Sequence, residues 1–384
     1  MKVSVFKSLV FLFATVLTFT SCESLLGPKD IKSPGPSFDM DLFEANLEQA
    51  LDGKVVGYSY SIGLNGQAAR EGAGGSAILA NTHPDYPAQV SMTPYQRMHI
   101  ASISKPITAI ALFKAIHKSG SGITLQTPIE DYLPGHWNLP NSVKTITFAQ
   151  LLDHRSGLKA AGSSYDNLKT NLEAGVLPAD KGQYFYNNAN FGLMRILIAY
   201  ILEPEVFSQT VMLGNDANID QTTVRIFSAF MEKEVAGAAQ VNHNIWTPNN
   251  ASPVLFYDYS DLTKTAWLTP DYQDAAGGFG YFLSANSIAS IFAHARHLNG
   301  YLPQPYYDWF WKDDMGWFSS NGEHGTYLVH NGAWFSNGRG YHGVVWAFPN
   351  NVEATVLVNC HNTPEADNIQ NLVRDAYNDA WILP

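Results

Sequence analysis

Ser102-Ile103-Ser104-Lys105 puts a hydroxyl and an amine three residues apart at the head of the apolar run His99–Lys118. Residues at that spacing share one face of a helix. Pro106 fits only a first helical turn, so the pattern predicts a helix beginning near Ser102. After Pro106 the only polar residues before His117 are Thr108 and Lys114, and a helix that is apolar nearly all round is a buried one. A lysine at the head of such a helix loses hydration, its pKa falls, and its amine can take a proton. A serine beside it then has the base a nucleophile needs. The helix N-terminus also favours negative charge developing nearby. The pattern is common, however. Ser4-Val5-Phe6-Lys7 repeats it near the N-terminus, where it is chance. Taken alone, Ser102 and Lys105 read equally well as a plain helix start.

Two further clusters carry suitable groups. In Tyr184–Leu193, Tyr186 could share a proton with a nearby ammonium, and Asn188 offers a donor and an acceptor to a substrate amide. A Tyr-x-Asn by itself is an ordinary surface loop. In His330-Asn331-Gly332-Ala333, a glycine inside a strand marks close backbone approach by a ligand. The Ala333 and Ser102 N–H groups could together form an oxyanion hole. In isolation, that segment is a strand with one histidine.

The elements that must position these groups follow from periodicity and punctuation. Asp39–Leu51 reads as a helix with an acidic start. Val55–Gly63 and Gln67–Leu79 read as strands around a Leu64-Asn65-Gly66 turn. Residues 122–134 form a loop and short helix, and Ile146–Leu158 is a helix ended by Gly157. Residues 160–275 alternate helical stretches with polar loops and lack strand-like alternation. Ser284–Asn299 is a helix. Tyr327–Trp334, Tyr341–Phe348 and Ala354–Cys360 are strands, with turns at residues 338–340 and 349–351. Pro364–Ile382 is a closing amphipathic helix. Strands at both ends with helices between them give an α+β fold, in which N- and C-terminal strands share one antiparallel sheet. Trp309, Trp311, Trp317, Trp334 and Phe335 read equally as walls of a cleft and as core.

Composition bounds the function. The 384 residues are 46% hydrophobic and 15% charged, ample for a large core. The net charge of −11 is spread along the chain and argues against a nucleic-acid partner, which wants a basic face. Lys2 and Lys7 precede the apolar stretch 8–20, which is too short to span a bilayer comfortably. Phe19-Thr20-Ser21-Cys22 resembles a bacterial lipobox, with Phe19 where leucine is usual. That resemblance implies cleavage before Cys22, lipidation of Cys22, and a protein held in the cell envelope through a membrane anchor. Residues 1–21 are then a signal peptide. Residues 22–38 are a Pro/Gly/Ser linker whose length could hold a domain about 50 Å from a membrane. Cys360 reads as a small buried core residue.

The order of the motifs resembles the serine β-lactamase and penicillin-binding protein superfamily, in the branch of class C β-lactamases, D,D-carboxypeptidases and related esterases. Met92-Thr93-Pro94 ahead of Ile100–Lys105 resembles that family's approach to its nucleophile. Residues 151–158 resemble its Leu-Leu-x-His-x-Ser-Gly-Leu loop. Tyr186-Asn187-Asn188 matches Tyr-x-Asn, and Ala276-Gly277-Gly278 a later Ala-Gly-Gly. His330-Asn331-Gly332 stands where the lactamases carry Lys-Thr-Gly. The resemblance implies a β-lactamase/transpeptidase-like fold over 39–384, with an α/β part (39–103 and 276–384) and an inserted helical part (104–275).

By the same resemblance Ser102 is acylated, and Lys105 and Tyr186 share the base and acid work. Asn188, His330, Gly332 and Ala333 bind a small-molecule or peptide substrate, and neither metal nor cofactor is needed. His154 matches a structural position, and Arg155 puts a charge where that loop usually has a small residue. His294 and His297, one helical turn apart without a third ligand, read as an exposed helix face. His330, with an ordinary pKa of about 6.5, would be partly charged near neutrality. It would then favour uncharged substrates, and would hold carboxylates more tightly as pH falls. A β-lactamase proper and a non-catalytic cell-wall-peptide binder are the alternatives. An α/β-hydrolase would want a Gly-x-Ser-x-Gly elbow, which the chain lacks.

Overall fold

The computed structural model describes residues 36–383, so the expected signal peptide, Cys22 and most of the linker lie outside the described residues. Gly57–Leu64 and Gln67–Ile78 form the expected hairpin. Its turn uses Asn65 and Gly66 at φ 53° and 77°, the paired left-handed residues that a tight hairpin requires. Gly325–Ser336, Arg339–Ala347 and Val352–Val358 make an antiparallel meander. Val352–Val358 pairs with Gly57–Leu64, placing Val356 opposite Tyr60. The N- and C-terminal strands thus share one sheet, as expected.

Side chains alternate across that sheet with the strand period of two. Val344, Trp346, Ala354, Val356 and Tyr60 face a core closed by Phe43 and Leu47 of the Met40–Leu51 helix and Tyr377 of the Ile369–Asn378 helix. Tyr341, Val345 and Leu357 face the other core. There they meet Ile107, Ile110 and Phe113 of the Ser104–Ser119 helix, Ile196 of the Asn188–Leu202 helix and Ile291 of the Ala285–His297 helix. Each such side chain contributes roughly 1.5–3 kcal/mol by leaving water. The Ser104–Ser119 helix is buried almost all round, as its composition predicts. Lys114 keeps its ammonium bonded by donating to the Tyr301 carbonyl at 2.9 Å.

Several expected boundaries shift. A 3-10 turn, Ala101–Ile103, precedes the α-helix, so Ser102 stands just before the helix rather than in it. The helix expected over Ile146–Leu158 is only Phe148–Leu152. The chain turns away at Asp153, and His154 takes φ 54°. The third meander strand ends at Val358. Cys360 sits in a two-residue strand, Cys360–His361, that runs parallel to Tyr257–Asp258, so the stretch 160–275 is not free of strand. Cys360 is buried, as expected, and its Sγ accepts from the Val56 N–H at 3.4 Å. The tight turn before Arg339 is made by Asn337 and Gly338 at φ 52° and 80°. The closing helix breaks into Pro364–Asp367 and Ile369–Asn378, after which Trp381–Ile382 pairs with Ser37–Phe38. Phe318–Gly322, unanticipated because it lacks apolar alternation, pairs with residues 325–329.

Candidate active site

The site is built where the Ala101–Ile103 turn meets the Gly325–Ser336 strand. Ala101 is held at φ 46°, a left-handed conformation that is strained for a residue with a Cβ and that collects at functional turns. The turn is pressed against the strand at Gly332. A Cβ there would stand 2.4 Å from the Ile100 carbonyl oxygen and 3.1 Å from the Ser102 nitrogen. Gly332 therefore admits the chain's own backbone rather than a ligand, which corrects the expected reason for that glycine. Phe318–Gly322 covers the outer edge of the strand only as far as Val329. Among the described residues, that edge has no partner strand from His330 onward. Half-buried Ala333 thus follows Gly332, the residue pressed against the Ser102 backbone, on this open edge.

Lys105 is fully buried. Its Nζ lies 3.0 Å from Ser102 Oγ, 2.7 Å from Asn188 Oδ1 and 2.8 Å from the Gly278 carbonyl oxygen. Burial pushes its pKa well below the ordinary lysine value. Tyr186 donates its hydroxyl to Ser102 Oγ at 2.7 Å. The Tyr186 residue is 37% exposed, so one side of its ring meets solvent while its hydroxyl points inward. Burial of that end pushes its pKa up to about 12, against the opposing hydrogen bond to Ser102. Lys105 Nζ also lies 4.7 Å from the Tyr186 ring centre. Ser102, Lys105, Tyr186 and Asn188 are therefore brought together, although Tyr186 and Ser102 are 84 residues apart.

The Ala276-Gly277-Gly278 segment supplies what residue-by-residue reading missed. Gly277 is at φ 128°, and a Cβ on it would lie 2.2 Å from the Phe191 carbonyl oxygen, so only glycine fits. This close approach lets the Gly277 carbonyl accept from Thr108 at 2.7 Å while the Gly278 carbonyl accepts from Lys105. His154 packs under Tyr186 with ring centres 4.5 Å apart. Its Nδ1 is bonded to the Asn187 amide at 3.2 Å and to Asn190 Nδ2 at 3.0 Å. Burial, with Lys105 adding, holds its pKa down to about 3, so it supports Tyr186 as a neutral ring. His99, also missed, is buried beneath the nucleophile turn. It is bonded to the Tyr341 hydroxyl, to the Gly280 N–H at 3.2 Å and to the Ala101 N–H at 3.3 Å.

His330 departs from expectation. It is only 2% exposed, its Nδ1 lies 2.8 Å from the Asn331 carbonyl oxygen, and its ring packs on Phe318 at 4.8 Å. Burial first, and Lys105 second, hold its pKa well below the ordinary histidine value. It stays neutral through the physiological range, so the expected tightening of carboxylate binding at falling pH has no titrating group behind it. Its recess, shared with His154, Tyr184 and Phe318, is about 20 Å³. A larger cavity of about 470 Å³ lies away from the site, against the Ala285–His297 helix and the Asn65–Gly66 turn.

Other surroundings resolve plainly. Arg155 donates to Asp153 at 2.6 Å and to the Gly182 carbonyl at 3.0 Å, so its charge is matched locally. Trp317 is core, and Trp334 stacks on Tyr272 at 5.0 Å within the aromatic shell around His99. Trp309 and Trp311 pack against the core, while Phe335 is surface. His294 and His297 are half-buried rather than an exposed face. His297 lies 2.9 Å from the buried Glu353, beside Arg296 at 2.6 Å.

The model of the Beta-lactamase family matches residues 43–378. The chain belongs to that family. Solved structures repeat the fold of this Beta-lactamase family member. FmtA from Staphylococcus aureus is 17% identical with a TM-score of 0.64, covering 91% of each chain. The D-alanine carboxypeptidase AmpC from Burkholderia cenocepacia is 15% identical with a TM-score of 0.64, covering 89% of this chain and 100% of that one. A class C beta lactamase from Rhodobacter sphaeroides is 17% identical with a TM-score of 0.61, covering 88% and 98%. A search of curated proteins gave no match. The family match supports a serine hydrolase of the β-lactamase and penicillin-binding superfamily. The neighbours, at these identities, speak to the fold.

Proposed function

We propose that this Beta-lactamase family member hydrolyses an uncharged ester or amide through an acyl-enzyme on Ser102. One observation carries the reading. A neutral amine has two N–H bonds and one lone pair. With its two hydrogens on Asn188 Oδ1 and the Gly278 carbonyl, the lone pair of Lys105 is left for the Ser102 hydroxyl. Ser102 Oγ accepts at the same time from Tyr186. Attack of Ser102 Oγ on the substrate carbonyl passes its proton to Lys105. The Ser102 and Ala333 amides receive the oxyanion. Tyr186, protonated until the intermediate collapses, gives its proton to the leaving group. Water then attacks the acyl ester and passes its proton to the Tyr186 oxygen, and Lys105 returns its proton to Ser102 as the ester bond breaks. The preference for uncharged substrates rests on how little positive charge this set offers: burial lowers the Lys105 pKa and holds His330 well below the ordinary histidine value, and Arg155 is matched by Asp153.

A panel of chromogenic esters, D-amino acid amides and β-lactams, read as kcat/KM with intact mass spectra, tests this. Acylation at Ser102 and turnover of neutral esters or amides are expected. Fast penicillin hydrolysis with slow ester turnover would make the protein a β-lactamase proper. Labelling of no serine by a fluorophosphonate or penicillin probe would make it a binding protein. We also propose that Cys22 is lipidated and holds the enzyme in the cell envelope. Membrane fractionation of wild type and Cys22→Ala tests that anchor, and soluble behaviour of both overturns it.

A further inference from the structure

Among the described residues, one cluster of ligating side chains takes no part in that chemistry. His342 lies in the Arg339–Ala347 strand, His361 in the two-residue strand beside it, and Asp367 at the end of the Pro364–Asp367 helix. Their three donor atoms converge on one point. His342 Nε2 is 3.2 Å from His361 Nδ1 and 3.2 Å from Asp367 Oδ1, and His361 Nδ1 is 2.8 Å from the same oxygen. A tetrahedral zinc ion with bonds of about 2.0–2.1 Å sets its ligand atoms about 3.3 Å apart. The triangle already has nearly those edges. Two imidazoles and a carboxylate are also the ligand types that zinc takes.

We propose that His342, His361 and Asp367 bind a zinc-type divalent ion, with the fourth position open to water. The opening is physical: the His361 and Asp367 side chains are 24% and 43% exposed, while His342 is buried at the base. The surroundings fix the ligands. The Phe335 ring packs on His361 at 4.1 Å and on His342 at 5.3 Å. The Asp367 amide donates to the Thr363 carbonyl at 2.9 Å. The site lies across the sheet from the nucleophile. His342 alternates with Gly343, whose missing Cβ would face Ile103 at 3.0 Å. The ion therefore does no acyl chemistry. It ties three separate elements together directly behind Ala333, the cross-strand partner of His342. This departs from the expectation of no metal, because ligands at 342, 361 and 367 have no recognisable metal spacing in sequence.

The test uses tag-free, chelator-treated protein titrated with zinc against a chromophoric chelator, and with cobalt(II) read by its visible absorption. One equivalent of zinc should bind, and cobalt should give the intense bands of a tetrahedral site. His361→Ala and Asp367→Asn should each weaken zinc roughly 10- to 100-fold or more. His83→Ala, at a histidine remote in the chain, should leave the affinity unchanged. Melting of each variant in chelator, compared with wild type in chelator, shows whether it folds, and either folded variant decides the matter. No stoichiometric zinc in wild type, or wild-type affinity in a folded variant, would mean that the three groups form only a hydrogen-bonded triad.

Discussion

Lys105 Nζ stands 3.0 Å from Ser102 Oγ, with its two remaining contacts made to neutral oxygen acceptors. Among the described residues no carboxylate pairs with this amine, so the same burial that destabilises its charged form makes it a base. Ser102→Ala should abolish acylation with the fold intact, read by intact mass and melting. Lys105→Ala and Tyr186→Phe should each lower kcat roughly 100- to 10,000-fold. The double variant should fall little further, since members of one proton relay fail together. Additive losses would mean that the two residues act separately.

The pH profile follows from the same burial. Lys105 must be unprotonated to act, and its pKa is lowered, so kcat/KM should rise with pH below the ordinary lysine range and then level off. Tyr186, pushed up to about 12, should impose no alkaline fall below about pH 11. Stability should follow with a definite sign. Between the lowered pKa and 10.5 the unfolded lysine binds a proton that the folded one has shed, so stability rises with pH across that window. Urea unfolding of wild type and Lys105→Met from pH 7 to 10 checks it. The wild type should gain on the variant as pH rises, and parallel curves would refute the assignment.

His330 is buried and neutral, so binding of carboxylate-bearing compounds should not tighten between pH 8 and pH 6. KM for one penicillin and one neutral ester across that range decides this. A fall in KM confined to the penicillin would show a cation forming in the site.

Gly332→Ala would place a methyl 2.4 Å from the Ile100 carbonyl oxygen. The three nearest atoms, the Ile100 oxygen and the Ser102 and Ile103 nitrogens, are all backbone, so the strand must move off the nucleophile turn. The expected cost is about 1–3 kcal/mol of stability, with a larger loss in kcat than in KM because the Ser102 amide moves with the turn. Thermal melting and steady-state kinetics measure the two effects.

Legibility of this chain tracks how local each cause is. The hairpin at Asn65-Gly66 and the meander strands announce themselves through alternation and turn residues. Ser102, Lys105, Tyr186 and Asn188 were nameable because ordered motifs carry them. Phe318–Gly322 is a strand only because residues 325–329 give it a partner, and its polar sequence says nothing of that. The helix after Thr147 ends early because the chain turns back at His154, whose ring is needed under Tyr186. The neutrality of His330 depends on Phe318 and Lys105, 12 and 225 residues away, and no spacing rule reports such burial.

The ribbon of Ser37–Phe38 with Trp381–Ile382 brings both ends of the described chain to one place, with Ser37 opposite Ile382. Phe38 adds ring contacts to Tyr377 at 4.9 Å and Trp381 at 5.5 Å. A pull on the two ends would peel this antiparallel pair apart residue by residue instead of shearing it, so the ends should yield at low force ahead of the body. A short peptide joining them would close the chain into a ring. New ends could then be opened in a surface turn such as Gly120–Gly122, beyond the last turn of the Ser104–Ser119 helix.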